Sequence, residues 1–152
     1  MYRKATAEDT KAVYDLICDM EAKQLPYDAF SDIFEKQVMD DDYYCLLREE
    51  DGKVISELNL RFEMQLHHAD RIAEIMEFAV DPGYRNKGIG AEVLAEAERI
   101  AKEAGCVQIE VACNQLRKDT HRFYEREGMN NFHFKFSKPL TGEVVTGNVL
   151  GR

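Results

Sequence analysis

The stretch FAVDPGYRNKGIG, residues 78 to 90, passes from an apolar run through a turn into two glycines placed where a helix should begin. Asp81-Pro82-Gly83 is turn chemistry, since proline presets its φ and glycine accepts conformations other residues avoid. Beyond it, Val93, Leu94, Ala97, Ile100, Ala101 and Ala104 recur at helical spacing until Gly105 stops them. Gly88 and Gly90 therefore fall in a first turn, although glycine inside a helix costs roughly 1 kcal/mol relative to alanine. Two such residues need a reason, and a bound anion supplies one. A helix start exposes unpaired N–H groups and the positive end of its dipole, and glycine lets a phosphate reach them without a Cβ in the way. Arg85 and Lys87 add formal charge that suits a diphosphate better than a carboxylate.

Upstream, Ile72 to Val80 is apolar on both parities, the pattern of a central strand covered on both faces, interrupted by Glu74 and Glu77. Leu58, Leu60, Phe62, Met64 and Leu66 alternate with polar residues as a half-buried strand, and Asp51-Gly52 joins it to YYCLLRE as a hairpin. A short strand at Tyr2 to Ala5 precedes two helices. The first starts in a capping-box pattern at Thr6 and Asp9, and the second is capped by Asp28 and carries Phe30, Ile33, Phe34 and Val38 on one face. Downstream, Val107, Ile109, Val111 and Cys113 read as a strand, Asp119 or Thr120 caps a short helix through Glu127, and Phe132, Phe134 and Phe136 alternate as a last strand. The order is βααβββαβαβ. A strand, helix, strand passage in the second half requires a crossover, hence an α/β protein with a mixed central sheet and helices on both faces.

A chain of 152 residues with 45% hydrophobic content fits one domain over 1–152, the tail from Thr141 being open in role. Its net charge of −9 argues against nucleic-acid binding or attraction to an anionic membrane through bulk charge, so any anion site is local. There is no apolar run long enough to span a bilayer and no leader-like start, so the cytosol is the expected compartment. Cys18, Cys45, Cys106 and Cys113 lack C-x-x-C spacing and read as reduced thiols.

With the loop, the central strand before it and the element order in hand, the chain resembles the GCN5-related N-acetyltransferase (GNAT) superfamily. The family's diphosphate loop [QR]-x-x-G-x-[GA] corresponds to Arg85-Asn86-Lys87-Gly88-Ile89-Gly90, and HRFYEREGM, residues 121 to 129, is similar to its second signature. AVYDLIC, LHHADRIAEI, Asn114 with RKDTHRFYEREG, and HFKFSKPL bring the chain closer to the aminoalkylphosphonate N-acetyltransferases. The resemblance implies transfer of acetyl from acetyl-CoA to the primary amine of a small molecule, an aminoalkylphosphonate first. A polyamine, an aminoglycoside or a protein amine is the alternative, or a CoA-binding sensor without catalysis. It implies that Phe78, Ala79 and Val80 pair with the cosubstrate through their backbone, that Asn114 contacts it, and that Tyr124 protonates or holds its sulfur.

Two glutamates in a strand read as buried need a job or a partner, because burying an unpaired carboxylate is costly. Glu74 matches the position that serves some members of the superfamily as general base, and Glu77 is second. With period two they face opposite sides unless a bulge intervenes. A phosphonate needs cations, for which Arg61, Arg117 and Arg122 are candidates, with His67 beside them. His67 or His68 is also the candidate metal ligand, since a divalent ion could bridge a phosphonate to the protein. Strand neighbours would point to opposite faces and chelate one ion poorly. A homodimer through FHFKF and the VVTGNVL tail is a further expectation.

Overall fold

The structure is a computed structural model in which residues 1–142 are described. By its contacts the chain divides into two compact units, Met1–Val111 and a second beginning at Ala112. The first contains β1 (Tyr2–Lys4), α1 (Thr10–Glu21), α2 (Tyr27–Val38), β2 (Tyr43–Glu50), β3 (Lys53–Gln65), β4 (Asp70–Val80), α3 (Ile89–Glu103) and β5 (Gln108–Val111). Its five strands lie in the order β1-β2-β3-β4-β5, antiparallel except for the parallel pair β4–β5, which α3 connects. The β2–β3 hairpin turns at Asp51 and Gly52, both at positive φ (51° and 78°), as a tight hairpin loop demands.

Helices cover both faces. Cys45 and Leu47 of β2 pack with Val13, Ile17 and Phe34, which places α1 and α2 on one side. Arg48, of the opposite parity, bonds Glu92 and so places α3 on the other. The stripe on α3 that buries Val93, Leu94, Ala97, Ile100 and Ala101 is the one its periodicity marks. Fully burying a side chain the size of Leu94 or Val93 contributes about 1.5–3 kcal/mol. Ahead of α1, the Asp9 carboxylate accepts the Thr6 N–H at 2.8 Å and a paired hydrogen bond from Arg3 at 2.7 and 2.8 Å. The Arg3 hydrogen bonds hold the Asp9 carboxyl below the usual range despite its burial.

The structure departs from the sequence reading in several places, one being the last helix, which is capped at Arg117 and already contains Asp119 and Thr120. The N-cap of α2 is Pro26, and Asp28 sits inside the first turn, where its charge still favours the dipole. The expected alternation of β3 is not kept: Ile55 to Leu60 are buried on both parities in the middle of a sheet covered on both sides, and beyond Phe62 the apolar Met64 and Leu66 are exposed. His67 and His68 lie in the β3–β4 turn rather than on a strand, so their rings stand together, 4.4 Å between centroids, instead of pointing apart. Finally, Phe132, Phe134 and Phe136 form no strand and are exposed. Their alternation gives two faces, but a strand also needs a hydrogen-bonded neighbour, and no strand among the described residues pairs with 132–136.

The second unit holds α4 (Lys118–Arg126), whose buried residue is Tyr124, 9% exposed, with Phe123 edge-on beside it at 5.2 Å. Gly128 follows at φ 93°, where the helix stops. The VVTGNVL tail expected at the interface lies outside the described residues. No helix among the described residues is long and apolar enough to cross a membrane.

Candidate active site

Register explains how β4 presents its functional groups. Asn59 of β3 lies opposite Glu77, but Leu60 lies opposite Ile75, so Met76 is an extra residue in β4. This bulge cancels the alternation between positions 74 and 77. Glu74, opposite Arg61, and Glu77, opposite Asn59, thus share the α1/α2 face with Glu57, which lies opposite Ala79. Glu74 is tied to Arg61 at 3.0 Å, and Arg61 also reaches Glu63 at 3.3 Å. Glu77 instead accepts from Asn59 Nδ2 at 3.0 Å, and the same amide donates to Gln37 Oε1 at 2.9 Å.

Glu57, Asn59 and Glu77 line a cavity of about 390 Å³ whose other walls include Phe30, Phe34 and Lys23 from α1–α2. Burial pushes the Glu77 carboxyl up, only partly offset by the Asn59 hydrogen bond, while the Glu21 charge raises it further. Glu57 is wholly buried, and neither carboxyl oxygen has a hydrogen-bond partner of good geometry. Burial first, then the charge of Glu77, holds its carboxyl well above the usual range, against a smaller lowering from the Ala79 backbone. Burial and these two glutamates also push the Cys45 thiol up, which suits a packing residue rather than a nucleophile.

Sequence reading placed no weight on Glu57, Asn59 or Gln37. The signal was present for Glu57: a glutamate inside the apolar run VISELNL raises the same question as Glu74 and Glu77.

The other side of β4 opens. Its ladder with β5 runs from Ile72 to Ile75 and ends there, while β4 continues along β3 to Val80. The Asp81 N–H donates to Ile55, so amides of that parity turn toward β3 and those of Phe78 and Val80 turn toward the side where the ladder has ended. The Ala79 carbonyl accepts from Ser56 Oγ at 3.0 Å. The chain then makes a 3₁₀ turn over Pro82–Tyr84, with the Asp81 carboxylate accepting from the Gly83 N–H at 2.8 Å. Asn86 and Gly88 both adopt positive φ, 61° and 79°, and bring the chain into α3, with Ile89 buried as its anchor and Gly90 in the first turn. A Cβ on Gly88 would meet nothing within 4 Å, so glycine is required there by its backbone conformation, not by crowding.

Not every cation of the loop faces it. Arg85 donates to Val80 O at 3.1 Å and to Asp19 at 2.8 Å, whereas Lys87 lies over the Tyr84 ring at 5.5 Å. The Asn114 side-chain oxygen accepts from the Leu116 N–H at 2.8 Å, a turn-forming role, and the Asn114 backbone carbonyl meets His121 Nε2 at 2.8 Å. Arg122 pairs with Asp119. His67 and His68 sit in the β3–β4 turn. Six residues of strand separate Asn59 from Gln65, and at about 3.3 Å each this puts the turn roughly 20 Å along β3 from the cavity acids. His68 lies 3.7 Å from Glu110. Among the described residues, no group of three or more His, Cys, Asp or Glu side chains is placed to hold a metal ion.

A strand edge followed at once by a glycine-opened helix suits a ligand that carries an extended amide chain next to a diphosphate. Coenzyme A is such a ligand, and two carboxylates, Glu74 and Glu77, stand on the same strand. The chain belongs to the acetyltransferase (GNAT) family, whose sequence model matches residues 10–129. It is 42% identical over 138 residues to an aminoalkylphosphonate N-acetyltransferase of Salmonella typhimurium, covering 91% of this chain and 90% of that protein. Among solved structures it is similar to a transcriptional regulator from Bacillus halodurans C-125 (TM-score 0.84, 22% identity, 92% and 99% of the two chains covered). A GNAT family acetyltransferase of Staphylococcus aureus has the same fold (TM-score 0.77, 21% identity, 92% and 98% covered). The protein is an acetyl-CoA-dependent N-acetyltransferase of GNAT type.

Proposed function

We propose that the protein acetylates the primary amine of a small aminoalkylphosphonate. Supporting this is the 42% identity to the Salmonella enzyme across nine tenths of both chains. The observation that carries it is the cavity itself, acidic at Glu57 and Glu77 with Lys23 among its lining residues. A zwitterion with an ammonium at one end and a phosphonate at the other matches that distribution. The family match runs across the boundary between the two units, so we take 1–152 as one acetyltransferase domain.

Acetyl-CoA supplies an activated acyl group as a thioester. The residues fit it: the edge of β4 past Phe78, Ala79 and Val80 serves its amide chain, and the 85–90 loop with Lys87 and the N–H groups opening α3 serves its diphosphate. Attack by an amine requires the neutral nitrogen, so a base must take a proton from the ammonium. We assign that base to Glu77 in preference to Glu74. Glu77 lines the cavity and its carboxyl is raised toward neutrality, whereas Glu74 is committed to Arg61. Tyr124 holds the proton the sulfur needs, as a buried phenol on α4. Lys23 takes the phosphonate end in this assignment; Arg61, Arg117 and Arg122 remain the other expected contacts, while His67, roughly 20 Å along β3 from the cavity acids, is too distant to share a small substrate with them.

The test is product mass spectrometry with acetyl-CoA and 2-aminoethylphosphonate, aminomethylphosphonate, spermidine, an aminoglycoside and lysine peptides, each with chelator and with added divalent metal. Acetylated aminophosphonate is the expected product, lost in Glu77→Gln and kept at reduced rate in Glu74→Gln. A spermidine, aminoglycoside or peptide product without any from the phosphonates overturns the substrate reading.

A further inference from the structure

The base assignment uses Glu77 and leaves the second acid unexplained. Glu57 is fully buried, sits diagonally across the β3–β4 pair from Glu77, lines the same cavity, and has neither oxygen in a well-formed hydrogen bond. Native proteins rarely bury a carboxyl without partners, because the desolvation is not recovered. Packing does not require it: Leu47, opposite it on β2, and Ala79, opposite it on β4, would accept an aliphatic neighbour. The groups facing it are Glu77 from β4 and Cys45 from β2, with Glu21 and Lys23 from the end of α1 at the cavity lining. Among these the only cation is Lys23, whose residue is exposed.

We propose that Glu57 is the inner half of an ammonium seat: with Glu77 it grips the acceptor's ammonium group inside the cavity, and it releases its own proton when that cation enters. This rests on the cavity being the acceptor site. Two carboxylates on diagonal positions of neighbouring strands, about 7 Å apart, one of them wholly buried, cannot both be ionised comfortably. The empty seat therefore holds one proton on the pair, and it resides on Glu57, the more deeply buried of the two. An entering R–NH3+ brings the positive charge that lets the second carboxyl ionise, and the displaced proton leaves to solvent: Glu57–COOH plus R–NH3+ gives Glu57–COO⁻ paired with R–NH3+, plus H+. Glu77 then takes a proton from the same nitrogen, so that the pair again carries one proton, which returns to Glu57 as in the empty seat, and R–NH2 is left between the two acids. No bond of the protein is made or broken beyond these O–H and N–H exchanges. The seat selects a compact primary ammonium, since a bulky or quaternary nitrogen cannot hydrogen-bond both acids.

The test is calorimetric titration of the enzyme, with CoA present, by 2-aminoethylphosphonate at pH 7 in two buffers of different ionisation enthalpy. Wild type is expected to release about one proton per amine bound, and Glu57→Gln none, by linkage. The same variant is expected to raise KM for the amine at least tenfold while leaving KM for acetyl-CoA unchanged. Glutamine keeps the shape and removes the burden of a buried acid, so the variant should fold; circular dichroism confirms it. Equal proton release and equal amine KM in the two proteins would overturn the proposal and leave Glu57 a merely structural residue. If spermidine or the aminoglycoside proves to be the acetylated amine, the phosphonate reading has failed by itself, and the same titration with that amine still decides the role of Glu57.

Discussion

Replacing Glu57 by glutamine should change how stability depends on pH, independently of any substrate. The Glu57 carboxyl is protonated in the fold well above the ordinary glutamate value of 4.5, whereas the unfolded chain ionises there. Above pH 4.5 the folded state consequently binds more protons than the unfolded state, and raising the pH favours unfolding. This contribution is whole below 4.5 and is lost progressively as pH rises, until the buried carboxyl itself ionises. Within that window a single group changes stability by about 1.4 kcal/mol per pH unit. For a domain of this size that corresponds to about 3–5 °C in Tm for each unit. Other perturbed carboxyls do not confuse the window: Asp9, Glu63, Asp81 and Glu96 are shifted downward and change their charge below it. Glu77 is raised too, but it is common to both proteins and to first order drops out of their difference. The assay is thermal unfolding of wild type and Glu57→Gln at pH 5, 6 and 7 in the absence of ligand. The wild-type Tm should fall relative to that of the variant with each step. Curves that stay parallel would refute the reasoning, because they would mean that Glu57 ionises in the fold as readily as in the unfolded chain.

Three further outcomes follow from the geometry. Tyr124→Phe keeps the buried ring and should preserve the thermal unfolding curve while kcat drops by about 10²-fold, the usual contribution of a positioned proton donor; undiminished turnover would return Tyr124 to a packing role. Asp19→Asn frees Arg85 from a half-exposed ion pair whose loss changes stability by less than about 1 kcal/mol, and should tighten acetyl-CoA binding measured by equilibrium titration; weaker binding would mean that the pair pre-shapes the loop. If the protein elutes as a dimer in gel filtration, replacing Phe132, Phe134 and Phe136 together by serine should shift it to monomer, since these exposed rings are the described part of the expected interface; an unchanged elution volume removes them from it.

How far the sequence reached can be argued residue by residue. β4 was legible because burial on both faces leaves an apolar run of both parities, and α3 because its stripe is periodic between Gly88 and Gly105. Their turn was legible from Asp81-Pro82-Gly83. The bulge at Met76 was not, since it exists only as a mismatch between two strands, and with it went the shared face of Glu74 and Glu77. Glu57 stood in the apolar run VISELNL, but that signal was masked: its neighbours Asn59, Arg61 and Glu63 continue a polar alternation that looks solvated, and only the helices laid over the first half of β3 make its face interior. The phenylalanine row shows the converse, a pattern fit for a strand that becomes one only when another strand accepts it. Asn114 was readable as a turn former or a ligand contact, and its hydrogen bond to Leu116 satisfies the former without excluding the latter.

The extra residue at Met76 gives β4 two phases. Up to Ile75 its side chains are timed to the parallel ladder with β5, and from Glu77 onward they are timed to the cavity and the opening helix. Inserting or deleting one residue on either side would invert one half while sparing the other, exchanging an acid for an aliphatic group in the cavity. Length changes in this strand are therefore expected to survive in evolution only as compensated pairs, which makes the spacing between Glu74 and Gly88 a stricter identifier of working relatives than any single residue within it.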